Sequence, residues 1–134
     1  MDSYAATFLI LISEYCQRTG YEALFRQYQD QVLLVLGAME RTIDRDGLSF
    51  TKPDYLVKYL MDNAEVYAAL GCMESLLERY PVPDGKRILT RLRQRRTSLN
   101  ERLEALLWNQ GERRYETGAD AKGKTLAFGG WQEL

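Results

Sequence analysis

Between Lys86 and Arg114 the chain carries nine basic residues, all but Lys86 arginine, against only Glu101, Glu104 and Glu112. Arginine presents a planar fork of N–H donors that matches a carboxylate or a phosphate in bidentate geometry, so the first chemistry these residues suggest is anion recognition. At about 100° per residue, Arg87, Arg91, Arg95 and Arg102 fall on one flank of a helix, beside its apolar stripe rather than opposite it. The net charge of −1 conceals this segregation, because residues 1–85 hold thirteen acidic residues against seven basic ones. Two explanations compete for the ridge. It pairs with acids of the preceding helices, such as Asp54, Asp62, Glu65, Glu74 and Glu78, or it contacts phosphates or an acidic partner surface. A nucleic-acid role of this kind would be backbone contact, independent of base sequence and sensitive to salt.

Catalytic and ligand chemistry finds little footing. The chain has no histidine, so the commonest general base, metal ligand and physiological-pH switch are all missing. Serine nucleophiles therefore lack their usual base. Asp44-Arg45-Asp46-Gly47 resembles part of a calcium loop, but aligning its glycine puts Pro53 where the bidentate glutamate belongs. Gly85-Lys86 and Gly123-Lys124 lack the glycine pattern and preceding strand of a phosphate loop. The carboxylate groups Glu74/Glu78 and Asp44/Asp46/Asp54 read as solvated or ion-paired surface. No catalytic residue, metal site, cofactor or small-molecule substrate is expected, and the chain reads as a non-enzyme. Cys16 and Cys72 lie among apolar neighbours with no C-x-x-C pair, and read as buried reduced thiols.

The aromatic residues point to protein surfaces. Eight of the nine tyrosines (Tyr4, Tyr15, Tyr21, Tyr28, Tyr55, Tyr59, Tyr67, Tyr80) precede residue 81, often beside the apolar stripes. Such positions suit a partly buried core edge or an interface, where tyrosine and arginine are enriched. Near the C-terminus, Leu126, Phe128 and Trp131 stand in a glycine-rich stretch as candidate partner-docking anchors.

The elements that must position these groups follow from periodicity. Ser3 is placed to cap a first helix, with Phe8, Leu9, Leu11, Ile12, Tyr15 and Cys16 on a wide apolar face and a stop near Arg18. Thr19 and Glu22 have the spacing of a capping box for a second helix, whose apolar set runs from Leu24 to Ile43. A third helix is predicted from Thr51-Pro53 to about Tyr80, with Leu56, Tyr59, Leu60, Asn63, Tyr67, Leu70, Met73 and Leu77 along one side and Gly71 as its weak point. Pro81 to Gly85 breaks it. Asp84 is placed to cap the fourth helix, with Ile88, Leu92, Leu99, Leu103, Leu106 and Leu107 on one stripe down to Trp108. Residues 111–134 hold half of the chain's ten glycines, which excludes a helix, and Thr125–Phe128 is a strand-like run. That tail either folds back on the helices or docks on a partner.

The expected fold is therefore all-α: a four-helix antiparallel bundle over residues 1–110, followed by an extended Gly-rich C-terminal tail over 111–134. No apolar run approaches the roughly 18–20 residues that span a bilayer, and no basic n-region marks a signal peptide, so a cytoplasmic or virion-associated protein without membrane contact is expected. The plan is similar to that of small helical adaptors of phage head-to-tail connectors, a likeness of architecture that no motif carries. The leading functional expectation is a non-enzymatic helical assembly or adaptor protein in a multi-subunit complex, such as a phage particle, working through a protein partner or self-association. The alternatives are a nucleic-acid-binding subunit using the basic fourth helix and a small regulator that blocks a partner protein.

Overall fold

The computed structural model describes residues 2–126. The chain is mostly helical, with four helices: α1 (Asp2–Thr19), α2 (Glu22–Glu40), α3 (Leu60–Arg79) and α4 (Gly85–Leu107). Five two-residue strands accompany them: β1 (Lys58–Tyr59), β2 (Trp108–Asn109), β3 (Arg114–Tyr115), β4 (Gly118–Ala119) and β5 (Thr125–Leu126). Helix α3 packs against both α1 and α4, and α1 packs against α2. The core gathers one stripe from each: Leu9 and Cys16 of α1, Phe25, Val32, Leu36 and Met39 of α2, Leu70, Met73 and Leu77 of α3, and Leu92, Leu99 and Leu107 of α4, all essentially inaccessible.

Helix ends depart from the expected caps in instructive ways. Ser3 lies inside α1 and donates its hydroxyl to Glu65, while Asp2 accepts the Ser3 N–H at 2.7 Å. Thr19 belongs to the end of α1 and forms no capping box: its hydroxyl donates to the Tyr15 carbonyl at 2.7 Å, and Glu22 pairs with Arg26 instead. Gly20, at φ 68°, makes the reversal between the two helices. Helix α2 has non-helical angles at Tyr28 and ends at Glu40, so Ile43 pairs with Ser49 in an isolated bridge rather than extending the stripe. Asp84 does precede α4, but in a left-handed conformation with no side-chain cap bond.

The largest difference is the start of α3, which begins at Leu60 rather than near Thr51. Residues 50–60 spend their backbone groups elsewhere: Phe50 donates to Thr42, Thr51 to Val57, and Leu60 to Thr117, while the Thr51 carbonyl accepts from Asp2. A helix from Thr51 would forfeit these bonds and strand buried polar groups. The Thr51 hydroxyl lies 3.0 Å from Asp62 in the first turn of α3, so Thr51 braces that helix from outside it. Leu56, expected on the buried stripe, is exposed.

Beyond α4, β2 and β3 pair antiparallel, and β4 lies between β1 and β5 in a three-stranded antiparallel arrangement. Gly118 and Ala119 are buried, so β4 returns to its own helices, and β5 adds to its outer edge. Thr125–Leu126 is a strand, as the composition suggested; Ala127, Phe128 and Trp131 lie outside the described residues. Gly118 is required where it stands, because a Cβ there would lie 2.5 Å from the Lys58 carbonyl oxygen. Gly118→Ala should therefore cost about 1–3 kcal/mol. Gly85→Ala, whose Cβ would meet only Val82 at 3.7 Å, should change stability by less than about 1 kcal/mol, both read by urea denaturation.

Candidate functional site

The four arginines of the ridge do not share one fate. Arg91 donates from Nε and Nη2 to the two oxygens of Glu40, at 2.7 and 2.9 Å, and Arg95 donates from Nε to the same carboxylate at 2.8 Å. Glu40 ends α2 and is 7% exposed. It lies one turn beyond Leu36 on the buried stripe, a position where a carboxylate requires a cation. That hydrogen bond raises the Arg91 guanidinium further above its ordinary value. Arg102 reaches Asp46 at 3.5 Å, and Arg87 stands in solvent 3.6 Å from Asp84. The partners offered by sequence are thus largely replaced. Asp54 is beside Lys52, Asp62 accepts from Thr51 and Glu65 from Ser3, while Glu74 and Glu78 take Arg93 and Arg96 from the other flank of α4.

The Asp44–Gly47 turn holds a cation of its own. Lys58 is buried, and its Nζ sits 2.7 Å from Asp44, 2.9 Å from Asp46 and 4.7 Å from the centre of the Phe50 ring. The Lys58 hydrogen bond holds the Asp44 carboxyl below its ordinary range. Among the described residues no cluster of three or more potential ligands forms a metal site. Cys16 and Cys72 are unpaired thiols, both pushed up chiefly by burial.

A second polar group anchors the start of α1. Asp2 is fully buried, accepts from the Ser49 hydroxyl at 2.7 Å, and adjoins Asn63, which accepts from the Ser49 N–H and donates to the Ser49 and Tyr59 carbonyls. Burial pushes the Asp2 and Asp62 carboxyls up, against hydrogen bonds from Ser49 and Ser3 and from Thr51 that hold them down. Deeper in α1, the Ser13 hydroxyl donates to the Cys72 carbonyl of α3 at 2.7 Å.

With that face committed to α3 and α2, the opposite face of α1 is apolar and bare. Tyr4, Phe8, Leu11 and Tyr15 are 70%, 41%, 67% and 49% exposed, in a row about 16 Å long with the 4, 3, 4 spacing of a coiled-coil seam. The wide apolar face read from the sequence is thus two faces, one of which the fold leaves uncovered. Single exposed apolar residues, such as Leu34 or Met61, are ordinary; a contiguous row of four on one helix face is less common. Leu126, the described member of the three docking anchors, is half-buried and pairs with Gly118. No helix among the described residues is long and apolar enough to cross a membrane.

The chain matches no known protein family and no curated protein.

Glu40→Ala leaves two guanidiniums without their shared acceptor. Because both are more than a third exposed, the expected cost is about 1–3 kcal/mol rather than that of a fully buried pair, and combining Glu40→Ala with Arg95→Ala should cost less than the two single effects together in a double-mutant cycle. Arg87→Ala should fall within about 0.5 kcal/mol of wild type. For Asp2, a raised native value means that the folded state binds its proton more tightly, so stability declines as pH rises from about 3.8 toward that value. Asp2→Asn should remove the Asp2 share of this decline in urea titrations across acid pH, leaving the share of Asp62, and leave stability at pH 7 unchanged or higher. A loss above about 1 kcal/mol at pH 7 would show instead that the ionised carboxylate, with its two acceptor oxygens, stabilises the fold.

Proposed function

We propose that this chain is a non-enzymatic helical assembly protein, and that α1 is its contact element. The four helices act as an antiparallel bundle, with residues 111–134 as an appended segment whose Leu126, Phe128 and Trp131 extend the contact to a neighbour. The setting that fits is a cytoplasmic or virion-associated multi-subunit complex such as a phage particle. One observation carries this reading: the bare row Tyr4, Phe8, Leu11 and Tyr15 on a helix whose other face is fully engaged. Its seam-like spacing favours a partner that is itself a helix, and the simplest such partner is a second copy.

The alternative, a nucleic-acid-binding subunit using Arg87, Arg91, Arg95 and Arg102, draws support from the charge segregation. Against it stands Glu40, which engages two of those four.

Leu11→Lys tests the assembly reading. Leu11 is mostly exposed, so the substitution should alter stability by less than about 0.5 kcal/mol while converting a discrete, nucleic-acid-free oligomer into a folded monomer, as read by light scattering coupled to size exclusion with absorbance at 260 and 280 nm. An oligomer unaffected by Leu11→Lys would contradict the role of α1. A wild-type monomer carrying nucleic acid that salt strips away would favour the arginine reading, and a bare wild-type monomer would leave the regulator.

A further inference from the structure

We infer that the chain binds a phosphate group in the cavity between the Asp44–Gly47 turn and α4, a site distinct from the α1 row. The cavity is about 470 Å³ and is lined by Arg45, Arg91, Arg95, Gln94 and Ser98, with Asp44 and Ile43 on the turn side. A smaller space of about 320 Å³ shares Arg45 and Ser98 with it, but is bordered by Asp46 and Glu101 as well as Arg102 and so lacks the cationic excess of the first. The turn is seated directly on the helix: Gly47 has φ 98°, and a Cβ there would lie 3.1 Å from the Ser98 carbonyl carbon and oxygen. This seating brings the Arg45 side chain, from a loop, to the same opening as Arg91 and Arg95 from successive turns of α4.

The donors outnumber the acceptors. Arginine has five N–H donors. Arg91 gives two to Glu40 and Arg95 gives one, and the rest have no protein acceptor among the described residues. The Arg45 guanidinium, the Gln94 amide and the Ser98 hydroxyl have no side-chain partner among the described residues either. The acceptors are already committed. Asp44 uses one oxygen for Lys58 and the other for the Arg45 backbone N–H, both at 2.7 Å. Glu40 is shared by two guanidiniums and holds them in place; Lys58 is matched by Asp44 and Asp46, so the excess positive charge at the opening comes from the three guanidiniums and not from Lys58.

Three guanidiniums that converge on one opening suit a compact, multiply charged tetrahedral oxyanion, an inorganic phosphate or a phosphomonoester. A nucleic-acid backbone presents singly charged phosphates in a spaced line and would require free cations along the helix. Here Arg102 is at Asp46 and Arg87 near Asp84.

The test is titration of the full chain with inorganic phosphate at constant ionic strength, followed by calorimetry and by amide and arginine Nε–H NMR shifts. Saturable binding at about 1 mM or tighter is expected, with shifts centred on residues 43–47 and 91–98. Arg45→Ala, which removes an exposed side chain and no described ion pair, should keep the fold and weaken phosphate at least about tenfold, and Arg45→Lys should restore part of the loss. Absence of saturation, or equal affinity in Arg45→Ala, would overturn the site. So would tighter binding of single-stranded oligothymidylate that Arg87→Ala weakens as much as Arg45→Ala, because the ligand would then be a nucleic-acid strand along α4. The oligomeric state, recorded in the same samples, separates failure of this site from failure of the assembly reading.

Discussion

The burial of Asp2 at the first turn of α1 constrains everything that follows it in space. A carboxyl group with no access to water must find donors, and Asp2 takes them from Ser3 and Ser49. Ser49 in turn is held by Asn63 in α3, and the Thr51 carbonyl accepts the Asp2 backbone N–H. One set of hydrogen bonds therefore joins the start of α1, the connection between α2 and α3, and the first turn of α3. The same connection supplies β1, on which Gly118 and Ala119 pair, so the return of the chain after α4 depends on it as well.

With α1 fixed at this end, its orientation about its own axis is no longer free. Ala6, Leu9, Ser13 and Cys16 turn inward, and the Ser13 hydroxyl bonds the α3 backbone. Tyr4, Phe8, Leu11 and Tyr15 must then face out, on a 3.6-residue period that cannot bury both sides of a helix at the edge of the packing. Glu40, at the end of α2, performs a related task. It ends α2 with a carboxylate that holds Arg91 and Arg95 beside the turn that follows, where both line the cavity.

Much of this was legible in the residue pattern, and the failures have physical causes. The four helices follow from their 3, 4 spacing, and the Pro81–Gly85 break from the missing proline N–H. The start of α3 was hidden because Thr51-Pro53 is a sound local helix start, and only contacts with Asp2, Val57 and Thr117, remote or outside the helix, divert that backbone. Arg87, Arg91, Arg95 and Arg102 were identifiable as one flank, but their partners were not, since ion pairing depends on how helices lie against each other rather than on spacing within one. Glu40 did carry a signal: a carboxylate continuing an apolar stripe announces a buried pair. Arg45 did not, because a loop arginine acquires meaning only when the loop is seated on α4.

Occupancy of the outward row of α1 is directly measurable by hydroxyl-radical footprinting of the wild-type chain across a range of concentrations. Oxidation of Tyr4, Phe8, Leu11 and Tyr15 should fall together as concentration rises, while Tyr67 on α3, also exposed, keeps a constant rate. Uniform oxidation of the α1 row at every concentration, or protection appearing on Tyr67 instead, would contradict the account.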